Sequence, residues 1–214
     1  MKTLLAFMCI LGLTAGGVGY AAASASAGET LRFKVFLDEE PIGTHSFRLQ
    51  ESGDGLTMES RAAFEVKLLF LTAYSYDHRS RELWREGCLA ELRSHTDDNG
   101  ERHSVRGQRT GEGFLIAGET ERVVDDACAM TFAYWDPRIL EQDRLINPQT
   151  GEVVEVEVVD EGLERLTASG REVQARRYRL SADGLDITLW YDDRRWLGLE
   201  SRVGEDYLLS YRRL

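Results

Sequence analysis

The stretch "LAELRSHTDDNGERHSVRGQRT", Leu89–Thr110, decides the fold. At its centre sits Asn99-Gly100, and a two-residue type I′ turn needs positive φ at both central residues, which asparagine and glycine adopt at low cost. Such a turn sets Asp98 opposite Glu101, Thr96 opposite His103 and His95 opposite Ser104. Strand side chains alternate with period two, so His95 and His103 then point to opposite faces. The stretch reads as an antiparallel hairpin.

Outward from this hairpin the same period recurs in both directions. "LRFKVFLD" puts Leu31, Phe33, Val35 and Leu37 on one face, and "LTMESRAAFEV" aligns Leu56, Met58, Ala62, Phe64 and Val66. "YSYDHRSRELW" carries an unusual stripe, Tyr74, Tyr76, His78, Ser80, Glu82 and Trp84, which is aromatic at both ends and polar in the middle. Downstream, "TGEGF", "PQTGEV", "ASGRE" and "ADGLD" punctuate further alternating runs. The pattern predicts about eleven or twelve strands at the spacing of antiparallel sandwiches and barrels. The fold class is all-β: a curled antiparallel sheet or open β-barrel with one short helix. Asp136-Pro137 starts that helix near residues 137 to 142, since Asp136 can cap it and Pro137 lacks only a donor that would be unpaired there.

Residues 1–27 read as a signal peptide: a short positive start at Met1-Lys2, a glycine-softened apolar run, and the small residues "AAASASA". Cleavage is expected after Ala27, with Ala23 and Ala25 as further sites. Residues 28–214 are then expected to form a single β-rich domain in the periplasm, with no transmembrane segment once the signal is cleaved. The formal net charge of −11 becomes −12, because Lys2 leaves with the leader and no acidic residue does. Such a surface argues against nucleic acid as a partner, because a binder of polyanions needs a basic face. Cys9 also leaves, so Cys88 and Cys128 remain, and two cysteines in an oxidising compartment are expected to pair. The 40-residue loop so closed is worth about 3 to 4 kcal/mol in the loop-entropy account.

Catalytic motifs are scarce. His45, His78, His95 and His103 show no ligand spacing, so no metal and no cofactor are expected, and structural hydrogen bonding is the better reading of them. No G-x-S-x-G elbow is present, and the carboxylate pairs Asp97-Asp98, Asp125-Asp126 and Asp192-Asp193 fall where turns or strand ends are expected. No catalytic residue is assigned. Aromatic side chains are more informative, because a barrel of this size either fills with them or encloses an apolar cavity. Phe64, Phe70, Tyr74, Tyr76, His78, Tyr134, Trp135 and Trp190 are the candidate ligand-binding residues.

Four segments, "FKVFLDEEPIGTHSF", "VKLLFLTAYSYDHRSRELWREGCL", "TFAYWDPRILEQDRLINPQTGE" and "ARRYRLSADGLDITLWYDDRRWLGLES", resemble an uncharacterised family of exported proteobacterial proteins under a domain-of-unknown-function label. The closing segment is also similar to the tail of a broader group of periplasmic β-rich proteins with curled or barrel-like sheets. The resemblance implies the fold and brings no catalytic residues with it. The leading functional expectation is non-catalytic binding of a lipid or other hydrophobic small molecule, with a helix plug held by Cys88–Cys128 and with His78 or an arginine meeting the ligand's polar end. The alternatives are a protein-interaction module of the envelope with a solid core, and an enzyme acting on envelope lipid through Tyr76, His78, Arg79 and nearby carboxylates. A perturbed His78 pKa inside a cavity is the feature expected to favour the enzyme. The sequence leaves the oligomeric state open.

Overall fold

Asn99 and Gly100 both take positive φ, 53° and 96°, and the hairpin they join pairs Asp98 with Glu101, Thr96 with His103 and His95 with Ser104, in the register expected from the turn. The protein is described from a computed structural model over residues 28–53, 55–68, 71–117, 121–168, 170–193, 195–204 and 207–214. Residues 1–27, where a signal peptide is expected, and Phe70 lie outside the described residues.

Among the described residues there are fifteen strands: β1 (Thr30–Leu37), β2 (Glu40–Ser52), β3 (Gly55–Leu68), β4 (Leu71–Arg85), β5 (Cys88–Asp98), β6 (Glu101–Thr110), β7 (Gly113–Ala117), β8 (Glu121–Val124), β9 (Arg144–Ile146), β10 (Val153–Glu155), β11 (Glu157–Ala168), β12 (Arg171–Ala182), β13 (Leu185–Asp192), β14 (Arg195–Val203) and β15 (Tyr207–Arg213). The sequence pattern falls short of this count because β7 to β10 are only three to five residues long, too short to display alternation.

Thirteen strands form one antiparallel sheet, running β11 to β15 and then β1 to β8. The first strand of the described chain therefore pairs with the last, Val35 opposite Tyr211. The sheet is not closed: β8 and β11 are its edges. Register shifts at Val35/Phe36, Val66/Lys67, Leu83/Trp84, Asp160/Gly162 and Trp190/Tyr191 mark bulges, which bend strands and raise local twist. They give the sheet its curl.

Residues 125–156 connect the two edges and lie against the concave face as a strap. The strap carries a 3-10 helix, Pro137–Glu141, and the two-stranded β9–β10 sheet. One short helix is thus present where expected, in its tighter 3-10 form. Alternation fills the concave face with Leu31, Phe33, Phe47, Leu49, Met58, Leu92 and Leu189, and the strap packs Met130, Trp135, Ile139, Leu145 and Ile146 against it, all buried. The convex face is charged; Arg177–Glu161 and Arg179–Glu161 are among its cross-strand ion pairs. Among the described residues no helix is long and apolar enough to cross a membrane.

Candidate functional site

The strap is fixed at several points. Cys88, just after the β4–β5 turn, is bonded to Cys128, with Cα atoms 4.7 Å apart, and Leu89 N–H donates to the Ala129 carbonyl beside it. Thr131 Oγ1 donates to the Glu82 carboxyl at 3.1 Å, Ser94 Oγ donates to the Pro148 carbonyl, and Tyr191 OH donates to the Tyr134 carbonyl at 2.7 Å. Asp136, buried, accepts from Arg138 N–H at 3.1 Å, capping the helix at Pro137, and also pairs with the Arg138 guanidinium. The cap and the disulfide stand as the sequence implied.

The strap leaves part of the concave face uncovered. Between them the strap and strands β1–β4 and β13–β15 enclose a cavity of about 920 Å³, with Phe132, Ala133, Tyr134, Trp135, Pro148 and Gln149 on the strap side. Leu37, Tyr74, Asp98, Asp183, Gly184, Val203 and Tyr207 line it where turns gather at one end of the sheet. Val203 and Tyr207 are about half exposed, so the cavity meets solvent there. Strand β4 measures its depth: Tyr74, Tyr76, His78, Ser80 and Glu82 all line it, a run of roughly 26 Å at strand rise. The space is long and narrow.

Register stacks the walls in layers. Phe64 faces Tyr76 in stacked contact 5.2 Å apart near the mouth. One step deeper, Ala62 lies between His45 on β2 and His78 on β4; beyond it, Ser60 lies opposite Ser80 and Met58 opposite Glu82. His45 Nε2 is 2.7 Å from Ser60 Oγ and its Nδ1 is 3.3 Å from Tyr211 OH, while His78 Nδ1 is 2.9 Å from Thr96 Oγ1. Glu82 accepts from Trp84 Nε1 at 2.9 Å as well as from Thr131.

Burial sets the charge states. Desolvation, helped by the neighbouring His78, pushes His45 down to about 3; what surface His45 retains faces the cavity and not bulk water. Desolvation pushes His78 down to about 4 against the opposing pull of Asp77. Glu82 is pushed up to about 7 by burial, offset in part by its bonds from Trp84 and Thr131. Burial likewise raises the Tyr76, Tyr134 and Tyr211 hydroxyls, so all three stay protonated. No lysine or arginine lines the cavity among the described residues.

Of the residues singled out from sequence, Phe64, Tyr74, Tyr76, His78, Tyr134 and Trp135 are brought together here. Trp190 is not. Leu189 and Tyr191 point inward and are buried, so period two turns Trp190 to the convex face, where its Nε1 donates to Glu164 at 3.1 Å and Arg177 lies 6.0 Å from its ring. Arg79, named for the enzyme alternative, faces outward and pairs with Asp77 at 3.1 Å; of His78 or an arginine, it is His78 that lines the cavity among the described residues. His45, Ser60 and Tyr211 line the cavity without having been singled out; the alternation of His45 with Phe47 and Leu49 carried that signal. His45, His78 and His95 are each hydrogen-bonded to a hydroxyl, and among the described residues no three His, Cys, Asp or Glu side chains are grouped to hold a metal.

The fold is shared. A β-barrel-like protein of domain of unknown function DUF1849 from Brucella abortus, known from its crystal structure, superposes with a TM-score of 0.63 over 86% of this chain and 94% of that one, at 13% identity. At that identity the likeness speaks for the fold alone. No curated protein matches the chain. Residues 33–214 match the family described as Domain of unknown function (DUF6134), and the chain belongs to that family.

Proposed function

We propose that the protein binds a lipid or other hydrophobic small molecule in the cavity, without catalysis. The observation that carries this reading is the space itself: about 920 Å³, elongated, largely apolar and roofed by an anchored strap. Pockets for single small ligands run from roughly 300 to 1,000 Å³. A void of this size weighs against an interaction module with a solid core. The reading includes export through a signal peptide at residues 1–27, a single domain over 28–214 and a periplasmic location; the Cys88–Cys128 disulfide suits an oxidising compartment. Phe64, Tyr74, Tyr76, His78, Tyr134 and Trp135 then contact the ligand. Native mass spectrometry with solvent extraction, on protein purified gently from its own host, tests it. One bound amphiphile per chain is the expected result; an empty protein that also takes up no added lipid would sink it.

A second reading has one observation in its favour. Ser60 and His45 sit at 2.7 Å with Tyr211 behind the imidazole, an arrangement like a nucleophile, its base and an orienting group. The perturbed His78 points the same way. Two facts outweigh them. An imidazole held near 3 is a poor proton acceptor at neutral pH, and Ser60 sits mid-strand, paired with Phe47 and Ser80, where ladder bonding uses the backbone N–H groups an oxyanion would need. A fluorophosphonate probe should leave Ser60 unlabelled; stoichiometric labelling lost in Ser60→Ala would establish the enzyme instead.

A further inference from the structure

Among the described residues the cavity combines unmet hydrogen-bonding capacity with an absence of positive charge. Trp135 Nε1 is buried without a hydrogen-bond partner, and the residue lines the cavity. The hydroxyls of Tyr76 and Tyr134 and the Nε2 of His78 likewise bond to no described residue, since His78 is engaged only through Nδ1. Of these four only the indole N–H is fully buried, and a buried polar group is almost always paired; the two hydroxyls and the imidazole nitrogen belong to cavity-lining side chains and are left for whatever fills that space to pair. All four belong to uncharged side chains under neutral conditions. Tyrosine hydroxyls and an indole N–H can each donate to an oxygen.

The ionisable groups around them set the permitted charge. Glu82 lines the deep end, Asp98, Asp183 and Glu152 line the outer part, and both histidines are neutral. An anionic headgroup drawn into this space would lose its water shell, meet no lysine or arginine, and share the wall with carboxyls. Hydrogen bonds from tyrosine and indole do not offset removal of an ion from water without a countercharge. An uncharged oxygen accepts the same bonds without that penalty.

Resting on the lipid-binding reading, we infer that the ligand is an electrically neutral amphiphile whose polar end carries an acceptor oxygen, an ester carbonyl or a hydroxyl, seated among Tyr76, His78, Tyr134 and Trp135, and that free carboxylates are rejected. The cavity selects by charge as well as by apolarity.

The test uses three ligands of matched chain: monoolein, oleate and oleylamine, titrated at pH 8 onto delipidated full-length mature protein and followed by native mass spectrometry and tryptophan fluorescence. Monoolein should bind at least tenfold tighter than oleate. In Glu82→Gln the monoolein-to-oleate ratio should narrow several-fold, because a negative wall group is gone. Oleate binding as tightly as monoolein, oleylamine binding tightest, or a ratio unchanged by Glu82→Gln would each overturn the charge selection while leaving lipid binding standing. Failure of all three to bind would overturn the lipid-binding reading itself, and this inference with it.

Discussion

Glu82 is 1% exposed, bonded to Trp84 and Thr131, and raised to about 7 by burial, so its effect on stability has a definite sign. The folded protein holds that proton more tightly than the unfolded chain. The contribution is fully present below about pH 4.5 and is lost as pH rises through about 7. His45 and His78 act oppositely: lowered to about 3 and 4, they favour the fold above pH 6.5 and lose that contribution as pH falls. Two histidines outweigh one carboxyl between pH 4.5 and 6.5, so these groups together place maximal stability near pH 6.5. Urea denaturation should show a decline on the order of 1 kcal/mol between pH 6.5 and 8, absent in Glu82→Gln; an equal decline in the variant would show that Glu82 is not its source. Trp135 allows a second residue-scale prediction. Its ring packs edge-on against Trp84 at 5.4 Å, and its N–H is unpaired, so Trp135→Phe gives up packing but removes an orphaned donor. Thermal or urea unfolding should place that variant within about 1 kcal/mol of the parent in the ligand-free state.

At the scale of elements, the strap depends on attachments made by other strands. The disulfide closes a 40-residue separation that spans β5 to β8, so the Cys88→Ser/Cys128→Ser variant should lose about 3 to 4 kcal/mol of stability, read from chemical denaturation with the tryptophans as reporter. A loss near zero would mean that the strap's packing already fixes those residues together. The β11–β12 hairpin presents the opposite case. Strand β11 forms one sheet edge and buries none of its residues, and its outer bonds are exposed ion pairs such as Arg176–Asp160. Native-state hydrogen exchange should find the β11 amides among the least protected in the sheet, while those of β1, next to its middle strand, and of β5, bonded to the strap, approach global protection. Strand existence was legible in sequence because β1, β3, β4 and β5 alternate cleanly. The short β7 to β10 were not, because three to five residues cannot display a period.

For the whole molecule, the open edges and the strap that joins them are one feature. A sheet whose first and last strands pair mid-sheet has its break elsewhere, between β8 and β11, and the 125–156 connection bridges that break across the concave face. Because the strap is narrower than the face it covers, the concave surface is divided into a packed half, under Met130, Ile139 and Leu145, and an unfilled half. The cavity follows from that mismatch in width.

Local chemistry in the sequence was enough to determine the longer strands, the Asn99-Gly100 turn, the capped helix at Pro137 and the inward face of β4, because each depends on residues a few positions apart. Aromatic content alone did not say which rings meet: it counted Trp190 with Tyr76 and Trp135, although parity turns Trp190 to the convex face. Which strands lie beside one another was beyond its reach. His45 meets Ser60 and Tyr211, and Glu82 meets Thr131, only because β2, β3, β4, β15 and the strap converge. Contacts across 15 to 166 residues are set by sheet order and curl, and those belong to the tertiary structure.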